Sequence, residues 1–521
     1  MTMASLDRRH LLRLAAAAAA PLWLPRSAWC QPALAEDPFT LGVASGSPDA
    51  SSVVLWTRLA GTSLPIAPVT VRWELAHDEA FTRIVQSGQA QALPEFAHAV
   101  HVEPRGLAPD RWYWYRFMAG PWVSAVGRTR TFPERGAPAG RLRLGYASCQ
   151  RWEHGFYGAW RHMRADAPDA VLFLGDYIYE YPGARDPVRP NPGNWVLTLE
   201  QYRARHALHK GDADLQAMHR ACPWLFTWDD HEVQNDYAGE HAGSGGPGVA
   251  DFTRRRAAAY QAWYEHMPVR ASVLTRALEG LASGQALRIH GRQHFGQLAQ
   301  LVLLDCRQYR GAQACTPGGR RGSGVVNPLD CAALADPARS MLGAQQEAWL
   351  RGALADGGAG WTVLGQSTLF GPRDFAPGPG SLVWNDGWDG YPAARQRLVG
   401  MLREGAALNP VLLGGDVHEN WVGHVKQDYA RPDSANVGVE FCGTSITSRT
   451  TAPEGTPARL AENPHFVFAD AEHRGYGLAE FTPQRLEVTL RGLDDVTRRD
   501  TGAKTLARFV VEAGRPLLQR V

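Results

Sequence analysis

The period of the hydrophobic positions changes near residue 140. Between residues 38 and about 134, β-branched and aromatic runs at 53–57, 69–73 and 112–117 are separated by Gly, Pro and Asp. That punctuation predicts the short strands of an all-β unit. Pro133-Glu134-Arg135-Gly136-Ala137-Pro138 reads as a linker. From Arg141 onward, short apolar runs alternate with amphipathic stretches. Strands are predicted at 142–148, 170–174, 225–228, 298–304, 361–364 and 410–413, with closing strands at 437–441, 478–481 and 486–490. Helices are predicted at 156–164, 252–264, 345–355 and 393–402. This alternation predicts an α/β body presenting polar residues at its strand ends.

The first 35 residues follow another pattern. Asp7-Arg8-Arg9-His10-Leu11-Leu12-Arg13 precedes Leu14, six alanines and Pro21-Leu22-Trp23-Leu24, and Ala33-Leu34-Ala35 ends the stretch. A charged start, a mildly apolar middle and a small-x-small exit predict a cleaved twin-arginine signal over residues 1–35. The expected location is periplasmic or secreted, reached through the twin-arginine export machinery, which carries folded proteins. The competing reading is a surface helix with chance arginines. Cys30 follows the bulky Trp29 and does not suit a lipid anchor.

Composition narrows the function. The 521 residues are 45% apolar and 20% charged, which excludes a disordered or fibrous chain. Lys plus Arg is 54 against Asp plus Glu 52; without residues 1–35, 50 basic face 51 acidic side chains. Neither balance suits a strongly basic nucleic-acid binder. Past the N-terminal segment, no apolar run approaches the roughly 20 residues of a membrane span. Loss of Cys30 leaves six cysteines, enough for three disulfides in an oxidising compartment. Cys315 and Cys331 flank a Gly-rich stretch and make the best loop staple. Eighteen tryptophans is a high count.

The candidate chemistry sits just past the apolar runs. Leu144 to Ser148 ends in Cys149, and Val171 to Gly175 ends in Asp176 with Tyr179 three residues on. Leu225 to Trp228 ends in Asp229-Asp230-His231-Glu232, with Asn235 close behind, and Val411 to Gly415 ends in Asp416-Val417-His418. Any one fragment is a weak signal, since Gly-Asp after a strand is commonly a turn and a buried cysteine is normally inert. Together they predict a metal cluster on one sheet edge, because converging carboxylates, an imidazole, a phenol and a thiol need cations.

The pattern resembles the PhoD-type alkaline phosphatases and phosphodiesterases, within the calcineurin-like metallophosphoesterases. FTLGVASGSPDASSVVLWTRL is similar to that family's N-terminal module. YASCQ, FLGDYIYEY, TWDDHEVQNDYAG, LDCRQYR, WNDGWDGYPAARQRL and GGDVHENW resemble its catalytic blocks in order. The resemblance covers nearly all of the chain past residue 35. It implies an α/β fold, a four-layer α/β/β/α metallophosphoesterase sandwich at 140–521, preceded by a small all-β fibronectin- or immunoglobulin-like sandwich at 38–134. Leu107-Ala108-Pro109 followed by Tyr113 and Tyr115 is similar to the late strands of a fibronectin type III sandwich. It also implies a site with one ferric iron and calcium ions. Donor chemistry agrees, because a phenolate and a thiolate suit ferric iron while carboxylates and an amide oxygen suit calcium. Cys149, Asp176, Tyr179 and His418 are expected to hold iron. Asp176 would bridge to calcium, completed by Asn235 and Asp416, with Asp230 as a further candidate. A metal-bound Cys149 is a thiolate, outside any disulfide. Cys306 stands where the family block more usually has threonine and is read as structural; a role for Gln366 is left open.

The implied reaction is hydrolysis of a phosphate ester by a metal-activated water. Arg151 and His231 are candidates for binding phosphate or protonating the leaving group. Their competing roles are an ion pair with Glu153 and a brace behind the ligands. Asp389, Tyr391, Trp384 and Trp388 either line the entrance or pack in the core. Monoesters, diesters and phospholipid headgroups, as in a phospholipase D-like phosphodiesterase, all suit such a site. A different class of reading is a secreted binding protein with an inactive second domain.

Overall fold

The structure is a computed structural model that describes residues 34–521 except 63, 275–286 and 451–452. Of the expected twin-arginine segment at 1–35, residues 1–33 lie outside the described residues. Two large sheets form the body. The first runs in the order Gln519–Arg520, Ala503–Glu512, Arg485–Leu493, Gly475–Phe481, Leu142–Ala147, Ala170–Leu174, Trp224–Thr227, Val43–Gly46, Val54–Arg58, Ala99–Val102. The second runs Gly291–Phe295, Ala299–Leu303, Trp361–Gly365, Pro410–Gly414, Asn436–Cys442, Asn420–Lys426, Phe466–Asp470. Their central strands pair in parallel, and the outer ones are antiparallel.

Continuous apolar runs are required here because each central strand is covered on both faces. Every residue of Ala170–Leu174, Trp361–Gly365 and Pro410–Gly414 is buried. Leu172 and Leu174 meet Val363, Val411 and Leu413 between the two sheets. Val171 and Phe173 face helices on the other side, beside Trp160, Trp224 and Trp263. Leu364 and Leu412 point away from the first sheet, onto Leu350, Leu354, Leu398 and Leu402 of helices Gly343–Ala355 and Pro392–Glu404. The layers are therefore helix, sheet, sheet, helix. A buried side chain such as Phe173 contributes about 3–5 kcal/mol against truncation to alanine.

The four chemistry-bearing strands do not share one sheet edge, as the sequence suggested. Three belong to the first sheet and Pro410–Gly414 to the second, so the polar residues meet across the rim of two stacked sheets. The N-terminal β unit is likewise less separate than its composition implies. Val43–Gly46 pairs in parallel with Trp224–Thr227 and carries Val54–Arg58 and Ala99–Val102 onto the end of the first sheet. Ile84–Ala92, Val69–Ala76 and Trp112–Ala119 form a further antiparallel sheet, and Val71, Leu75, Tyr113, Tyr115 and Phe117 pack against Val43, Leu55 and Val100. Leu34 is buried in this core, and the Trp122 indole donates to its carbonyl.

Helices Leu199–Lys210 and Ala213–His219 arise where no helix was expected. Among the described residues one disulfide forms, Cys315–Cys331, while Cys149, Cys222, Cys306 and Cys442 are buried thiols. No described helix is long and apolar enough to cross a membrane.

Candidate metal centre

Each site residue is set by a turn that leaves a strand abruptly. Cys149, Asp176, Asp416 and His418 all have positive φ, between 59° and 68°. Non-glycine residues rarely accept that left-handed backbone, and it clusters where surrounding structure over-determines it. Gly175, before Asp176, has φ 105°, and a Cβ there would stand 2.6 Å from Asp229 Cβ. Glycine thus lets two neighbouring strand ends approach. Cross-links lock the turns together. The Cys149 amide donates to the Gly175 carbonyl (3.0 Å), and the Gln150 amide to the Asp176 carbonyl (3.0 Å).

Donor atoms of Cys149, Asp176 and His418 lie within 4.8 Å of one another. The Tyr179 hydroxyl joins them, donating to Asp176 Oδ2 (2.8 Å) and standing 3.2 Å from His418 Nε2. The Ser448 hydroxyl is 2.7 Å from the same phenol oxygen and 2.9 Å from the Cys149 carbonyl. His418 Nδ1 is turned to the Arg449 carbonyl (3.0 Å), which presents Nε2 to the cluster. A second group comprises Asp176, Asp230 and His231, again within 4.8 Å. Asp176 belongs to both groups.

Asn235 and Asp416 stand beside these groups in different ways. Asn235 Oδ1 accepts from the Tyr181 hydroxyl (2.7 Å), and its Nδ2 donates to Ser244 Oγ (2.7 Å). Asp416 Oδ2 accepts from Thr368 Oγ1 (2.7 Å). Gln366, whose role the sequence left open, cradles that threonine: its Oε1 accepts from the Thr368 amide (3.1 Å) and the Trp388 indole (3.1 Å). Cys306 is buried with its Sγ 4.0 Å from Gln366, and burial pushes its thiol up to about 12, in keeping with a packing role. Trp388 and Tyr391 are fully buried, so packing rather than lining the entrance describes both.

Arg151 lies 3.5 Å from Glu153, a long contact, and its guanidinium covers the Tyr181 ring at 4.8 Å and the Tyr179 ring at 5.7 Å. His231 Nδ1 meets Glu180 Oε2 at 2.7 Å, so Nε2 is the ring nitrogen outside that contact. Glu180 also accepts the Asn235 amide (2.8 Å).

Electrostatically the rim is over-supplied with negative groups. Burial, reinforced by Asp230, Asp229 and Glu232 against the pull of His231, drives the Asp176 carboxyl well above its usual range. Burial and then Asp229 and Asp230 do the same to Asp416. The Cys149 thiol is raised by burial, Asp176 and Asp416, and the Tyr179 phenol by burial, Asp176 and Cys149. His418 is pushed down to about 3 by burial and by Arg474, so it is the neutral imidazole a metal requires. Asp230 goes the other way. Its burial is outweighed by Arg307 and His231, which hold it ionised. Asp230 Oδ1 is nevertheless buried with no hydrogen-bond partner. A bound cation would satisfy that oxygen and oppose the upward shifts of Asp176, Asp416, Cys149 and Tyr179. The donor set therefore fits metal ions.

Several residues that matter here were quoted within motifs but given no role. Arg307 Nε and Nη2 donate to Asp229 Oδ1 and Oδ2 (2.6 and 3.0 Å), and Nη1 pairs with Asp386 at 2.7 Å. Arg307 thus withdraws Asp229 from any cation. Glu232 accepts the amides of Asp176 (3.1 Å), Tyr177 (2.6 Å) and Asp229 (2.9 Å), clamping two turns with one carboxylate. Recurrence of acidic residues and arginine in the quoted blocks was the available signal.

Comparison with known proteins now decides the family. The model of the PhoD-like phosphatases matches residues 144–490, and that of their N-terminal domain matches residues 25–133. The chain belongs to the PhoD-like phosphatase family. It is 41% identical to alkaline phosphatase D of Bacillus subtilis (strain 168) over 497 residues, covering 93% of this chain and 82% of that protein. A solved structure of PhoD superposes with a TM-score of 0.86 at 39% identity, covering 94% of this chain and 93% of that one. The four-layer body behind an all-β unit is thus a PhoD fold, and a PhoD-like phosphatase is a phosphoester hydrolase.

Proposed function

We propose that this chain is a metal-dependent alkaline phosphatase in which Cys149, Asp176, Tyr179 and His418 hold a ferric ion. In the same reading, Asp176, Asp230, Asn235 and Asp416 hold calcium. The observation that carries it is Asp176, shared by two donor groups, beside the buried and unpartnered Asp230 Oδ1. When bound, such cations supply Lewis acidity and a water of lowered pKa.

The chain's own residues do the rest. Arg151, held over two tyrosine rings and only loosely paired with Glu153, orients phosphate oxygens from the rim. Glu180 holds the His231 ring through Nδ1 and, against burial, Asp230, Glu180 and Asp176 raise its affinity for a proton, an arrangement that can deliver a proton to the leaving oxygen. Thr368 restrains Asp416 through a single hydrogen bond, and Ser448 restrains the Tyr179 oxygen. No serine nucleophile is required. Near-neutral composition assigns the attraction of phosphate to the centre rather than to a basic surface.

Export is part of the proposal. Residues 1–35 would direct the folded, iron-loaded protein through the twin-arginine route to the periplasm or beyond. Turnover of para-nitrophenyl phosphate, its bis ester and phosphatidylcholine, each with calcium and with chelator, tests the reaction. Calcium-dependent hydrolysis is expected, and the preferred ester separates monoesterase from phosphodiesterase or phospholipase D-like use. No turnover of any ester by metal-replete protein would leave the binding-protein reading standing.

A further inference from the structure

The Gly-rich loop closed by Cys315–Cys331 packs directly against the segment that carries Asn235. A Cβ on Gly322, whose φ is +84°, would stand 2.6 Å from Ser244 Cβ, so only glycine lets the loop come this close. The next residue, Ser323, donates from its amide (3.1 Å) and its hydroxyl (2.8 Å) to Asp236 Oδ2. Ser244 Oγ donates to that same oxygen (2.7 Å), and the Ser244 amide donates to the Asn235 carbonyl (2.9 Å). The Asn235 side-chain Nδ2 donates to Ser244 Oγ.

Proton counting gives this network a direction. A serine hydroxyl has one proton, and an ionised carboxylate only accepts. Ser244 spends its proton on Asp236, so toward Asn235 it can only accept. Asn235 must therefore turn its NH2 to Ser244 and its oxygen to the other side. There the Tyr181 hydroxyl occupies one lone pair of Oδ1, leaving the other free. Without Asp236 as acceptor, Ser244 could donate to Asn235 Oδ1 instead. The amide would then flip and offer NH2, a group that cannot bind a cation, to the centre.

We propose that Asp236, Ser244 and Ser323 are positioning residues that fix which end of the Asn235 amide faces the metal centre. The Cys315–Cys331 disulfide, closing a separation of 16 residues, holds Ser323 to that task. The proposal rests on the reading of Asn235 as a calcium ligand. It goes further in making a disulfide-closed loop, remote in sequence, a determinant of calcium affinity but not of iron binding. Oxidation of the two cysteines in an exported protein would then be a condition for a tight calcium site.

The test is calorimetric titration of calcium chloride into the iron-loaded enzyme after its calcium has been chelated. Iron content and the unfolding midpoint are recorded alongside. Ser244→Ala is expected to weaken calcium binding about 10–100-fold, as loss of a residue orienting a ligand does. Iron content should stay unchanged, and Ser244→Thr should restore affinity. Ser323→Ala should give a smaller loss. Reduction of the disulfide should weaken calcium binding in the wild type and add little in Ser323→Ala. Wild-type affinity in both serine variants, or equal effects of reduction in the two backgrounds, would overturn the proposal. Failure of the wild type itself to bind calcium would overturn the underlying assignment, an outcome visible before any variant is made.

Discussion

Asp176 and Tyr177 are neighbours in the chain, yet they face opposite electrostatic regimes. Asp176 looks onto the acidic rim, among Asp229, Asp230, Glu232 and Asp416. Tyr177 looks into a buried basic cluster between the first sheet and its helices. Its hydroxyl is 2.8 Å from His219 Nε2, which also meets Lys210 Nζ at 3.3 Å. Tyr157 meets His209 Nδ1 at 2.7 Å, His206 stacks on His266, and Lys210 Nζ lies over the Trp56 ring at 4.4 Å. Both clusters bury like groups without enough opposite charge. The basic one is resolved by loss of charge, since burial pushes His206, His209, His219, His266 and Lys210 well below their usual values. Its histidines form no group able to hold a metal among the described residues. The acidic rim is different. It keeps Asp230 ionised, leaves one of its oxygens unpartnered and gathers mixed donors within 4.8 Å. A cation resolves the second cluster; deprotonation suffices for the first.

The comparison breaks most sharply at Asp176. Asp176→Asn removes the carboxylate common to both donor groups and should lower kcat/KM more than about 100-fold, beyond the loss expected for an outer brace. Steady-state turnover of para-nitrophenyl phosphate measures it. Next is Arg307→Met, which leaves Asp229 buried without its ion-pair partner while Asp386 keeps Arg310, and should cost about 3–5 kcal/mol in denaturant unfolding. Glu180→Gln keeps the shape but weakens the hold on His231 and should reduce kcat/KM about 10–100-fold with little change in midpoint.

The smallest effect belongs to the basic cluster. Lys210→Met should leave turnover unchanged and keep or raise the thermal midpoint at pH 7. The sign follows from linkage. Burial depresses the Lys210 pKa in the folded state, so its contribution to stability is complete only above the unfolded value of about 10.4. That contribution is lost as pH falls toward the folded value. Stability of the wild type should therefore rise as pH climbs toward about 10, and Lys210→Met should flatten that rise. A steeper rise in the variant would contradict neutral burial of the lysine.

The same contrast accounts for what could be read from the sequence. Strand ends were legible because apolar runs stop abruptly at Cys149, Asp176, Asp229 and Asp416. Arg307 was not, because its partner Asp229 lies 78 residues away. Glu232 holds the Asp176 amide across 56 residues. Helix Leu199–Lys210 escaped notice because its buried face carries Arg205, His206, His209 and Lys210, which no hydrophobic period reveals. Its Thr198–Gln201 capping box was the local signal available. The split of the centre between two sheets was hidden as well, since apolar strands read alike whichever sheet they join. Eight of the eighteen tryptophans are packing residues: Trp56, Trp160, Trp224, Trp228, Trp263, Trp361, Trp388 and Trp421 are fully buried.

The metal content of the rim is the most direct measurement of what holds its donors together. Elemental analysis of protein exported by its native host, paired with the visible spectrum, should find one iron with calcium and a tyrosinate-to-iron absorption. Tyr179→Phe should lose both the iron and the absorption. Full iron and full activity in Tyr179→Phe, or zinc or manganese in place of iron and calcium, would contradict the assignment of these metals.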